Sequence, residues 1–154
     1  PGLELDAQAF PTVGDRESTL RYSWSGHVPQ IGERDGSTVR VGGTTLGGFV
    51  QSWAPLATRR HALSLGPPFH YDERRVVRAP AGGSIIETPD GGTIESRFGR
   101  LVMRVAPGTS EVTVETHLEM VVDRIPPEEY PAFRAWCERA DALLRGRISI
   151  GGVR

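Results

Sequence analysis

The sequence predicts a mainly β fold, an antiparallel β-sandwich with one C-terminal α-helix packed on it, and three observations carry that expectation. Nineteen glycines and twelve prolines interrupt the 154 residues, about a fifth of the chain where roughly 12% is ordinary, too much punctuation for a helical bundle. Turn signals recur about every ten residues in the second half, at Pro80-Ala81-Gly82-Gly83, Pro89-Asp90-Gly91-Gly92 and Pro107-Gly108-Thr109-Ser110, which is the spacing of strands in a sandwich. The hydrophobic period is two through most of the chain and changes to a helical one near the C-terminus.

The elements follow in order. Leu3, Leu5, Ala7 and Ala9 alternate with Glu4, Asp6 and Gln8, as in a strand with one buried face. Beyond the break at Pro11 to Gly14, Leu20, Tyr22 and Trp24 share one face and Thr19, Arg21 and Ser23 the other. Residues 26–48 are rich in Gly, Ser and Thr around Val39 and Val41 and read as a loop holding a short strand. Residues 59–65 read as a strand, with Arg60, Ala62 and Ser64 against His61, Leu63 and Leu65, stopped by Gly66-Pro67-Pro68. Leu101, Met103 and Val105, then Val112, Val114, Thr116, Leu118, Met120 and Val122, predict a long hairpin.

Then Tyr130, Phe133, Cys137, Ala140 and Leu144 fall three or four residues apart, with Trp136 and Leu143 widening the stripe. A helix over about 127–145 follows. Pro126 and Pro127 with Glu128 and Glu129 suit its start, where proline loses nothing and acidic groups favour the positive end. Pro131 fits only within the first turn, and Arg145 and Gly146 close the helix. Arg147 to Ile150 is a last short strand. The expectation is one sandwich domain over 1–154, best defined over 59–150 and least over 1–58.

Composition excludes some functions. All 18 basic residues are Arg, with no Lys or Asn, a bias that suits a high-GC coding sequence; against 19 acidic residues the net charge is −1. There is no basic field for a phosphate backbone, so nucleic acid is not an expected partner. No apolar run approaches the roughly 20 residues of a membrane span, so no membrane insertion is expected. The sequence opens on Pro1 without the basic and apolar segments of a signal peptide, and reads as a piece of a longer chain.

Candidate chemistry is sparse. Cys137 is the only thiol; it has no partner for an internal disulfide, and its place on the apolar stripe makes it a small buried hydrophobe rather than a nucleophile. His27, His61, His70 and His117 lack the i, i+4 spacing of a helical metal site. His70-Tyr71-Asp72 offers two ligands on one strand face but no identifiable third. Glu115, His117 and Glu119 form a polar row that reads as a solvated strand face, with cation binding or contact to another domain as the alternatives. The Gly-rich Val41 to Gly48 segment is not a phosphate loop, since the chain has no lysine. There is no Gly-x-Ser-x-Gly elbow. The arginine pairs at 59 and 60, and at 74 and 75, point to alternate sides of a strand and make no single cationic patch. No catalytic, cofactor-binding or metal residue is therefore assigned, and no cofactor is expected.

A series of segments carries a family resemblance: Arg60-His61-Ala62-Leu63-Ser64-Leu65-Gly66, Ala79-Pro80-Ala81-Gly82, Ile94-Glu95-Ser96-Arg97-Phe98-Gly99-Arg100, Asp123-Arg124-Ile125-Pro126-Pro127-Glu128-Glu129-Tyr130-Pro131-Ala132-Phe133-Arg134 and Arg147-Ile148-Ser149-Ile150. It resembles the C-terminal β-sandwich region of bacterial multi-domain transglutaminase-like proteins, in which a cysteine-protease-like core is flanked by β-rich domains of unknown function. Ala62 departs from the proline expected there. The resemblance implies that the Cys, His and Asp of catalysis belong to a core preceding this segment, that Cys137 is not that nucleophile, and that the parent protein is periplasmic or extracellular. The expected role is a non-catalytic accessory domain that scaffolds an adjacent transglutaminase-like domain or helps bind its substrate. The rival is a free-standing carbohydrate-type binding module with Trp24, Trp53 or Tyr71 as a stacking platform. A thiol enzyme built on Cys137 is the third reading.

Overall fold

A computed structural model describes residues 4–9, 23–27 and 32–153. The chain divides into two compact units, Pro1–Gly32 and Glu33–Arg154. In the first, β1 (Glu4–Ala9) pairs antiparallel with β2 (Ser23–His27), with a shift in register between Leu5 and Ala7. The first of these is the strand expected from the opening alternation. Of the second expected strand, positions 19–22 lie outside the described residues.

The second unit runs β3 (Glu33–Asp35), β4 (Thr38–Gly42), α1 (Phe49–Trp53), β5 (Leu63–Ser64), β6 (Phe69–Arg78), β7 (Ser84–Glu87), β8 (Gly92–Ser96), β9 (Gly99–Ala106), β10 (Glu111–Met120), β11 (Arg124–Ile125), α2 (Tyr130–Leu144) and β12 (Arg147–Gly151). Two antiparallel four-stranded sheets, ordered β6-β10-β9-β8 and β3-β4-β12-β7, make it an antiparallel β-sandwich, with β5 and β11 as a two-stranded ladder beside them. The long hairpin is β9 and β10, in register from Thr113 opposite Ala106 to Met120 opposite Gly99. Its period of two is visible in burial: Val112, Val114, Thr116, Leu118 and Met120 are buried while Glu115 and Glu119 are exposed. From the other sheet, Ile148 and Ile150 of β12 lie opposite Val41 and Val39 of β4. Both inner faces and α2 share one hydrophobic cluster.

Helix α2 buries the predicted stripe, Tyr130, Phe133, Trp136, Cys137, Ala140 and Leu144. Phe133 meets the Phe98 ring edge-on at 5.4 Å and stacks on Trp136 at 6.2 Å. Pro131 does lie in the first turn. Gly146 serves a purpose other than the left-handed cap that its place suggests. Its φ is not positive; a Cβ there would collide with the Pro89 ring, so close packing excludes any side chain.

Three local expectations need correction. Of residues 59–65 only Leu63 and Ser64 form a strand, paired with Ile125 and Arg124; Arg59 instead places its guanidinium over the Tyr130 ring at 5.7 Å, and Arg60, His61 and Ala62 face solvent without a partner strand. Residues 26–48 hold a β3–β4 hairpin rather than one short strand. A second helix, α1, is too short at five residues to announce itself by periodicity, and its first N–H groups are satisfied from outside: the Asp141 carboxylate of α2 accepts from Phe49 N (2.8 Å) and Val50 N (3.0 Å).

Candidate functional site

The outward face of the β6-β10-β9-β8 sheet carries a depression of about 510 Å³ lined by Asp72, Arg74, Arg100, Val102, Arg104 and His117, among others. Antiparallel register assembles it. On β10, Glu115, His117 and Glu119 project to one side because their neighbours project to the core. Opposite them on β6 stand Arg74, Asp72 and His70, and on β9 stand Arg104, Val102 and Arg100. The predicted polar row is therefore one column of a wider charged face.

Cross-strand pairs satisfy most of that face. His117 donates from Nδ1 to Asp72 Oδ1 at 2.6 Å, which orients the imidazole and leaves Nε2 outward. Arg74 and Glu115 approach to 3.6 Å, Arg78 and Glu111 to 2.6 Å, and Arg100 and Glu95 to 2.8 Å. Such exposed pairs contribute at most about 1 kcal/mol each and mainly fix register. A His–carboxylate pair can act as a base only beside a group to deprotonate. The hydroxyl nearest in sequence, Thr116, is buried on the opposite side of the sheet. No group of three or more His, Cys, Asp or Glu side chains is placed to hold a metal ion among the described residues.

The remaining candidates separate widely. Cys137 is fully buried, and burial, with Asp141 nearby, pushes its thiol up to about 12, so it stays protonated and shielded at neutral pH. His70 shares the outward face with Asp72, opposite Glu119. His61 is exposed before β5. The side chains of His27 and Trp24 lie outside the described residues. Arg74 and Arg75 do point to opposite sides of β6, Arg75 toward the core side. Trp53 stacks on Phe49 at 4.5 Å and takes the Phe69 edge at 6.2 Å, so its ring is engaged within the protein rather than presented as a platform. Tyr71 is 38% exposed.

The Gly-rich segment after β4 has a structural role. Glu73 accepts from the Thr44 hydroxyl, from Thr45 N at 3.1 Å and from Thr45 Oγ1 at 2.9 Å, tying the loop to β6. Sequence reading missed both Glu73 and Asp141 in these roles. Neither has a local signal, since each bonds residues far away in the chain.

Fold and site define a helix-backed antiparallel sandwich domain with a concavity on an ion-paired sheet face. The chain belongs to the family described as a domain of unknown function with a solved structure, DUF3858, whose profile matches residues 47–150. No curated protein matches the sequence. A protein of Parabacteroides distasonis ATCC 8503, whose crystal structure at 2.00 Å is described as that of a "putative protease", shares the fold with a TM-score of 0.55 and 12% identity. The likeness covers 74% of this chain and 23% of that one, so this chain spans less than a quarter of that protein's length.

Proposed function

We propose that this chain is a non-catalytic accessory domain of a transglutaminase-like protein, which supports an adjacent catalytic core or holds its protein or peptidoglycan-like substrate. One observation carries the reading: the fold recurs as a minor part of a longer chain described as a "putative protease". Two features of the site agree with it. The one described thiol is buried and protonated, and Thr116, the hydroxyl residue in the lining of the depression that holds the His117–Asp72 pair, has its side chain buried on the other side of the sheet. The work of such a domain is positional, and the helix-backed core supplies the rigidity for it. The same reading expects a parent protein in the periplasm or outside the cell.

The test assays the 154-residue chain and the whole gene product side by side for peptide hydrolysis and for amine incorporation into a glutamine peptide. The reading expects activity in the whole product, none in this chain, and loss of stability or substrate affinity when residues 33–154 are removed. Turnover by this chain alone, abolished by Cys137→Ser or His117→Ala, overturns it.

A further inference from the structure

β6 is an outermost strand of its sheet and ten residues long, with β10 on one side and no strand on the other among the described residues. A free edge of that length exposes backbone donors and acceptors that another chain can complete. The other edges of the two four-stranded sheets are blunted. β3 has three residues, all exposed and charged; at β7 the Ile85 N–H already donates to Thr109 O at 2.8 Å; β8 has five residues and packs beside α2.

The core-facing side of β6 is also incomplete. Phe69 and Tyr71, two residues apart on that side, are each 38% exposed. Further along the same row Glu73 is occupied by Thr44 and Thr45, whereas Arg75 is half-buried and has no anionic partner among the described residues. Inward charges can serve simply to keep an edge unpaired. Here one of the two is spent on a loop, and the other is a guanidinium that a carboxylate would complete with charge-assisted hydrogen bonds.

We propose that the free edge of β6 is a strand-addition site for an extended segment of a separate protein, one that is acidic where it meets Arg75 and apolar where it meets Tyr71 and Phe69. Because side chains on one face recur every second residue, the segment has an acidic residue four positions from the first apolar one and a second apolar residue two further on. Backbone bonding supplies affinity and the three side chains set register. The proposal does not rest on the accessory role, since it concerns binding alone.

The test titrates the ¹⁵N-labelled full chain with the capped peptide Thr-Asp-Thr-Ser-Thr-Val-Thr-Val-Thr, followed by amide shifts and hydrogen exchange. Shifts and slowed exchange concentrate in β6, and replacing the peptide's Asp by Lys weakens binding by about tenfold or more. Arg75→Glu reverses that preference, while Arg74→Glu, on the other side of the strand, leaves it unchanged; melting curves of both variants establish that they are folded. The proposal is overturned if Asp and Lys peptides bind alike, if the shifts map away from β6, or if its outer amides are already protected in the free chain, whether by its own segments or by a second copy.

Discussion

The β9–β10 hairpin with α2, and the segment from Gly42 to Leu56, differ in how far polar groups help to hold them in place. The first rests on apolar periodicity: Leu101, Met103, Val112, Val114 and Leu118 meet Phe133, Trp136 and Ala140 in one buried cluster. The second buries Phe49 and Ala54 in the same cluster, and is pinned as well by polar groups that reach it from distant parts of the chain. Glu73 holds Thr44 and Thr45, Asp141 caps α1, Tyr130 Oη donates to Leu56 O at 2.8 Å, and Arg134 donates to Ala54 O. Packing energy is distributed over many atoms. A carboxylate latch concentrates its contribution in one residue, so it should fail locally and all at once.

That contrast can be broken or sharpened by experiment. Phe133→Ala should cost roughly 3–5 kcal/mol in urea unfolding, since the ring is fully buried between Phe98 and Trp136; a loss under 1 kcal/mol would remove packing as the organiser of the helix. Alkaline pH should act on the same region through Cys137. Its folded pKa, about 12, lies above the unfolded value of 9.0. Stability is therefore fully present below pH 9 and declines between pH 9 and 12, by about 1.4 kcal/mol per unit, because only the unfolded chain loses the proton there. Cys137→Ala should flatten that slope, and iodoacetamide should modify Cys137 only in denaturant.

Smaller effects belong to the latched segment. Asp141→Ala should cost about 1–2 kcal/mol, as expected for a lost N-terminal cap with two amide partners. Hydrogen exchange should rise at Phe49 and Val50 while β9 and β10 stay protected; equal loss in both regions would show that the latch is not local. Arg74→Ala or Glu115→Ala on the outward face should change stability by no more than about 0.5 kcal/mol, and a double-mutant cycle that returns more than 1 kcal/mol would require a less solvated pair than the structure shows.

The comparison also accounts for what the sequence made legible. Alternation over ten residues of β10 and the stripe over fifteen residues of α2 are long patterns, and both elements appear within a few residues of their expected bounds. Shorter patterns misled. Residues 59–65 alternate well but find a partner only at Leu63 and Ser64, because a strand needs a neighbour as well as a pattern. Helix α1 has five residues, too few to carry a periodic signal, and depends on a side chain 92 positions from the first amide it caps. At the candidate site, the row Glu115, His117, Glu119 was legible from β10 alone. Its pairing with Arg74 and Asp72 was not, since those residues reach it only through the β6–β10 register.

By itself the sequence determined the class of fold, the long hairpin, the buried helix stripe and the buried position of Cys137. Each of these is encoded within one continuous stretch of chain, where periodicity alone decides which side meets the core. Tertiary structure decided which strands are neighbours, which carboxylates become latches, and, among the described residues, that β6 lies at the edge of its sheet. Those outcomes depend on pairing between segments far apart in sequence, and a local pattern cannot specify its own partner.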